Sequence, residues 1–268
     1  MLRGCSEMET PVAPAPTSAF PFWRWFASFA IVGNIALNYW ANTHPFNGQT
    51  MGEVSARYPT PLTPAGYAFS IWGLIFLTLT IYAVWQLLPA QRASPLPDAI
   101  APPLTLASVA TAGWVVLFAF ELILLSVLVM LLILGCLIVV YGRSRRLVLC
   151  RQVPGWTSVP FALYLGWISV ATVINVTIGL RVLGWQTSAG VASGLAVGLL
   201  IVVVLLGLVI SRRFSEAVFP LVVSWALVAI WMAQRGQYPV LGWAAVAGAV
   251  VVGGGGVLLS VRASRQLL

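Results

Sequence analysis

The sequence predicts an all-α, polytopic membrane bundle of about eight transmembrane helices. Three observations carry that prediction. Of 268 residues, 60% are hydrophobic and only 7% charged, whereas a soluble domain carries about 25% charged residues; so few charges cannot cover a water-facing surface. Apolar runs of roughly 17–25 residues, the length that crosses about 30 Å of hydrocarbon, recur from residue 22 to residue 261. The charges that exist gather between these runs. A soluble enzyme, a disordered chain and a disulfide scaffold are thereby excluded, and the net charge of +8 reads as membrane-flanking loops rather than as a nucleic-acid surface.

The first 21 residues are rich in Pro and Ala and carry Glu7 and Glu9, which fits a short disordered tail and not a signal peptide. Spans are expected at 22–41, 66–88, 103–119, 121–142, 158–181, 188–210, 216–234 and 239–261. Residues 103–142 form one nearly unbroken apolar stretch. As a single helix it would run about 60 Å, twice the bilayer core, so a tight turn is placed at its one charge, Glu121. Arginine distribution supports the division. Arg3, Arg24, Arg92, Arg143, Arg145, Arg146, Arg151, Arg212, Arg213, Arg262 and Arg265 fall on one side, and Arg57, Arg181 and Arg235 on the other. By the positive-inside rule both termini are cytoplasmic.

The outer loop, 42–65, turns at Asn47-Gly48. Thr50-Met51-Gly52-Glu53 then fits a capping box, Glu53 and Arg57 are spaced to pair along a short surface helix, and Pro59 and Pro61 end it. On span six, Gly190, Gly194 and Gly198 recur every four residues, a spacing that lets helices approach closely. Another helix of the same chain is the expected partner, with a subunit contact as the sharper reading.

Residues able to carry chemistry are few. There is no lysine, so neither a Schiff base nor a P-loop lysine is available. His44 is the only histidine, and Cys5, Cys136 and Cys150 are far apart with no C-x-x-C; bis-His haem and His-rich zinc sites are excluded. No span has a carboxylate at its middle, which weighs against proton-coupled transport. The informative residues are neutral or aromatic. Asn34 and Asn38 share one face of span one, and Asn175 lies deep in span five near Thr172 and Ser169. An amide in hydrocarbon must find a hydrogen bond, from another helix or from a ligand. Span two opens on Thr63 as a cap with Pro64 behind it, then carries Tyr67, Phe69, Trp72, Phe76, Tyr82 and Trp85. Trp114 and Trp167 are mid-span. Flat aromatic walls with a few hydrogen-bonding groups suit a large planar apolar ligand.

Two segments carry a resemblance. "TPAGYAFSIWGLIF" at 63–76 resembles the second-helix signature P-P-G-W-x-F-x-x-x-W-x-x-L-Y of the tryptophan-rich sensory protein (TspO/MBR) family, relatives of the mitochondrial translocator protein. "YLGWISVATVIN" at 164–175 is similar to its fifth-helix pattern Y-x-x-W-x-S-x-A-T-x-x-N. Ala65 and Tyr67 replace the second Pro and the Trp, the Phe69-to-Trp72 spacing is one residue short, and the third-helix N-x-x-W survives only as Thr111-Ala112-Gly113-Trp114. The resemblance covers roughly 20–185 and is to the longer bacterial members. It implies a tail at 1–21, a five-helix bundle at 22–185 with outer loop 42–65, and three additional helices with a short cytoplasmic tail at 186–268.

The resemblance further implies a multi-pass protein of the bacterial cell membrane that senses or receives a porphyrin, other tetrapyrrole or sterol-like molecule. No cofactor is required. Partners are membrane lipid and the hydrophobic small molecule, with a homodimer possible and no nucleic acid. The residues it points to are Tyr67, Phe69, Trp72, Trp114, Tyr164, Trp167, Ala171 and Asn175; Asn34 and Asn38 are added from periodicity alone. The alternative is a small-solute transporter or permease. An enzyme is disfavoured, because acid–base groups are lacking.

Overall fold

The computed structural model describes residues 22–185 and 188–265; the tail expected at 1–21 lies outside the described residues. Among these are nine α-helices and no strand: α1 (Phe22–Thr43), α2 (Met51–Arg57), α3 (Ile71–Trp85), α4 (Pro95–Ala119), α5 (Ile123–Leu149), α6 (Val159–Val182), α7 (Ala189–Phe214), α8 (Val218–Gln234) and α9 (Pro239–Arg265). Helix α2 is the expected short loop helix, and the other eight fall on the eight expected spans. Six of the eight are long and apolar enough to cross a membrane, α3 when counted with the 3-10 turn that precedes it as Gly66–Trp85. The exceptions are α8, with 17 residues, and α1, whose hydropathy is diluted by Arg24 and three asparagines.

Helix α1 shows which solvent the bundle is built for. Its buried face carries Arg24, Ser28, Asn34 and Asn38, while Phe22, Trp25, Phe29, Val32 and Trp40 face outward. Hydrocarbon outside inverts the usual arrangement: polar groups must find partners within the protein, and apolar side chains need no shelter. Arg24 is 4% exposed. Its guanidinium donates to Asp98 Oδ1 and Oδ2 at 2.7 and 2.6 Å and to the carbonyls of Gln91, Arg92 and Ser94. It therefore organises the α3–α4 connection and is not a free loop charge.

Several boundaries differ from the expected ones. Helix α4 starts at Pro95, two turns before residue 103, because Pro95 occupies its first turn, where no N–H is needed, and Asp98 in the same turn is held by Arg24. Helix α5 continues past 142 to Leu149 because Arg145 is buried there. Span two begins as a 3-10 turn, Gly66–Ser70. Thr63 does not cap it; its hydroxyl instead accepts from the Thr60 N–H at 2.8 Å. The α4–α5 turn falls at Glu121, which adopts a left-handed φ of 57°.

Helices α7–α9 join the first six chiefly through α8, at both of its ends and at its middle. At the arginine-rich end, Arg145 donates to Ser158 Oγ at 3.0 Å and to the carbonyls of Phe214 and Ser215, and Tyr141 donates to Glu216 at 3.3 Å. In the middle, Gly166 of α6 leaves room for α8: a Cβ there would meet Val222 at 3.0 Å. At the loop-bearing end, Ala65 N donates to Ala229 O at 3.0 Å. The Gly190, Gly194 and Gly198 stripe plays no part in packing within the chain, contrary to the expected intrachain partner, since a Cβ at any of them would meet nothing within 4 Å. Close packing of the last helices uses Gly207, Gly248, Gly253, Gly255 and Gly256.

Candidate functional site: a covered aromatic cavity

The outer loop is drawn across the bundle. Thr50 and Glu53 form the expected capping box, with the Thr50 N–H donating to Glu53 Oε2 at 2.7 Å and Glu53 N to Thr50 Oγ1 at 3.3 Å. Glu53 is thereby committed to the cap, and the expected Glu53–Arg57 pair does not form. Arg57 instead donates to Glu121 Oε1 at 2.7 Å, and the Tyr58 hydroxyl donates to Glu121 Oε2 at 2.6 Å. These bonds hold the Glu121 carboxyl below its ordinary range, the Tyr58 hydroxyl most of all and Arg57 next. Across the loop, Arg181 donates to Pro59 O.

Beneath this loop lies a cavity walled by Ser55 of α2, Pro64 and Phe69 of the following segment, Trp114 and Phe118 of α4, and Trp167, Ala171, Ile174, Asn175 and Ile178 of α6. Counted to its open mouth it encloses about 380 Å³, but a water-sized sphere can centre itself in only about 30 Å³ of that. The rings are set edge against face: Phe69 meets Trp167 at 5.8 Å and 76°, while Trp114 stacks on Phe118 at 4.9 Å. No charged side chain lines the cavity. One turn along the chain from Phe118 and Ile178 stand the charged groups Glu121 and Arg181, both bonded to the loop.

Three wall residues carry a polar side-chain group: Ser55, Asn175 and Trp114. Asn175, 2% exposed, faces Ser126 of α5 and donates its Nδ2 to the serine Oγ at 3.2 Å, while the single serine proton goes to Ile123 O at 2.7 Å. Trp114 is 7% exposed, and its indole N–H has no partner. An unmet buried donor costs about 1–3 kcal/mol, so an acceptor placed against it gains more than in water.

Of the ten candidate residues, Phe69, Trp114, Trp167, Ala171 and Asn175 share this cavity. The other five lie elsewhere. Tyr67 turns away and sets its edge on Trp225 of α8 at 5.1 Å and 86°. Trp72 stacks on Phe76 and meets Tyr164 at 5.8 Å. Tyr164 is fully buried and shares a hydrogen bond with Thr111, tying α6 to α4. Asn38 donates to the carbonyl and side-chain oxygens of Asn34, both at 2.9 Å, while the Asn34 Nδ2 is buried without a partner; both amides lie along α1 and not among the cavity walls. Sequence reasoning missed Ser55, Pro64, Phe118, Ile174 and Ile178. Four-residue steps from Trp114 to Phe118, and from Trp167 through Ala171 to Asn175, would have found the α4 and α6 walls. Ser55 and Pro64 carry no such signal. His44 stacks on Trp40 at 4.4 Å, away from the cavity. Among the described residues no three His, Cys, Asp or Glu side chains group to hold a metal ion.

Fold and site together define a multi-pass membrane helical bundle with an uncharged aromatic cavity under a pinned loop. The family model described as TSPO-like protein matches residues 24–258, and the chain belongs to that family. The match extends through α7 and α8 and into α9. No curated protein and no solved structure matches the chain.

Proposed function

We propose that this chain is a membrane sensor or receptor for a planar hydrophobic ligand of tetrapyrrole or sterol-like shape, held in the cavity between α2, α4 and α6. One observation carries the reading: Phe69, Trp114, Phe118 and Trp167 wall an uncharged void whose polar wall residues are Ser55 and Asn175, with Trp114 carrying an unpartnered indole N–H. Aromatic faces take a flat apolar body, and a small number of placed polar groups fix its orientation. Such a ligand carries at least one hydrogen-bond acceptor, because Trp114 offers only a donor. Ligand pockets run to about 300–1,000 Å³, so binding requires the loop above the cavity to lift. The arginine distribution supports a cell-membrane orientation with both termini cytoplasmic, which puts the cavity in the outer half of the bilayer.

Titration of the detergent-solubilised protein with protoporphyrin IX, followed by quenching of tryptophan fluorescence, tests the proposal. Saturable quenching is expected, and Trp167→Phe should weaken it several-fold. Linear, unsaturable quenching by every tetrapyrrole and sterol tried would overturn it.

A further inference from the structure

We propose that α8 is the fixed clasp of the cavity's cover, and that Gln234 is the positioning residue of that clasp. The inference rests on the reading of the cavity as a ligand site, but its structural half stands without it.

The cover continues from α2 through Pro59-Thr60-Pro61-Leu62-Thr63-Pro64 into the 3-10 turn at Gly66–Ser70. Three prolines in six residues remove three backbone donors and prevent a helix. Within the segment Thr60 O, Ala65 O and Ala68 O are met by its own or adjoining N–H groups; further partners come from outside, Arg181 to Pro59 O and the others from α8. Gln234, 6% exposed at the end of α8, donates its Nε2 to Thr63 O at 2.8 Å and to Thr60 O at 3.3 Å. The Trp225 indole donates to Ala68 O at 3.3 Å. In the other direction Ala65 N donates to Ala229 O at 3.0 Å. Trp225, Ala229 and Gln234 stand four and five residues apart, so α8 meets the segment at three successive heights along its axis. Pro64 and Phe69 of that same segment line the cavity, so displacement of the clasp moves the cavity wall. The segment of α8 lies outside the stretch, roughly 20–185, whose motifs suggest the cavity in the first place. This gives one of the last three helices a role in the site.

The test is hydrogen–deuterium exchange on the full chain in lipid nanodiscs, combined with stopped-flow release of protoporphyrin IX. Gln234→Leu keeps the volume and removes the donor. It should raise exchange at residues 60–68 about tenfold, leave α4 and α6 unchanged, and speed porphyrin release by a similar factor. Gln234→Lys restores a donor and should return both toward the parent values. Trp225→Phe keeps the ring against Tyr67 but loses the bond to Ala68 O, and should raise exchange at 66–68 alone. Unchanged exchange at 60–68 overturns the clasp, and so does a uniform rise through every helix, because Gln234 would then hold the fold and not the cover. Localised exchange changes in a chain that shows no saturable porphyrin binding leave the clasp standing and remove the ligand reading instead.

Discussion

Alanine substitutions at three glycines test the packing of the last helices, because their surroundings differ while the chemistry of the change does not. At Gly254 a Cβ would meet nothing within 4 Å. Gly254→Ala should therefore express only the helix preference for alanine, a gain of up to about 1 kcal/mol. At Gly256 the same Cβ would stand 2.6 Å from Pro220 Cβ and 2.7 Å from Pro220 Cγ. Carbon pairs rest at about 3.5–4.0 Å, so α8 and α9 must part by roughly 1 Å, and the rigid proline ring has no rotamer with which to yield. Overpacking of this kind costs about 1–3 kcal/mol. The difference between the two variants cancels the helix preference and equals that cost. At Gly207 the close atom, at 2.5 Å, is the Cγ2 of Val252, and rotation of a single side chain relieves part of the clash, so Gly207→Ala should fall between the other two. Thermal unfolding of the three variants in one detergent reads the order directly, with Gly254→Ala highest and Gly256→Ala lowest by several degrees. Equal melting temperatures for Gly254→Ala and Gly256→Ala would refute the α8–α9 packing described above.

Two further predictions concern the site. Glu121 has a folded pKa below the ordinary 4.5, so its contribution is complete above that value and is lost as pH falls through the folded pKa. Proteolysis or amide exchange at residues 50–58 should rise below pH 4.5, and Glu121→Gln should remove the part of that rise which Glu53, lowered in the same direction by its own cap, does not supply; an identical pH profile in the variant refutes the latch. At the Asn175–Ser126 pair the two halves should not cost the same. Ser126→Ala strands a buried amide, for about 1–3 kcal/mol, whereas Asn175→Leu leaves a serine that still donates to Ile123 O at 2.7 Å; equal losses in thermal stability would contradict this.

Helix number and type were legible because an apolar run of fixed length has few alternatives in a bilayer. The capping box at Thr50–Glu53 was legible because it is local, four residues satisfying each other. What failed to show was whatever depends on a partner far along the chain. The start of α4 at Pro95 depends on Arg24, 74 residues away from Asp98. Arg57 reaches Glu121 across 64 residues instead of pairing four residues back. The same holds in the cavity: Trp114, Trp167, Ala171 and Asn175 lie on regular helices, where spacing determines direction. Tyr67 sits in a 3-10 turn, whose side chains do not follow that spacing, and Trp225 on a distant helix draws it away. Asn34 and Asn38 share one bond within their own helix and leave the Asn34 Nδ2 unmet, an arrangement periodicity cannot distinguish from a ligand site.

The two halves of the cover are held unequally, and this determines how a ligand much larger than 30 Å³ of free space can enter. On the α2 side, the Arg57 side chain is 53% exposed in its pair with Glu121, and exposed pairs contribute about 0–1 kcal/mol. The Tyr58 bond to the same carboxylate adds to it, but both depend on one acceptor and fail together. On the α8 side, the bonds from Gln234, Trp225 and Ala65 are independent, bury their acceptors within the bundle, and contribute about 0.5–1.5 kcal/mol each, with the Tyr67–Trp225 ring pair adding about as much again. Thermal opening follows the weaker attachment. Helix α2, whose Ser55 forms one wall and whose Gly52 rests 3.9 Å from the Phe69 ring by way of an added Cβ, swings outward, while residues 60–68 stay on α8. On the proposed ligand reading, entry passes between α2 and the α4–α5 turn, and the residue set to govern it is the shared Glu121 carboxylate and not the aromatic wall.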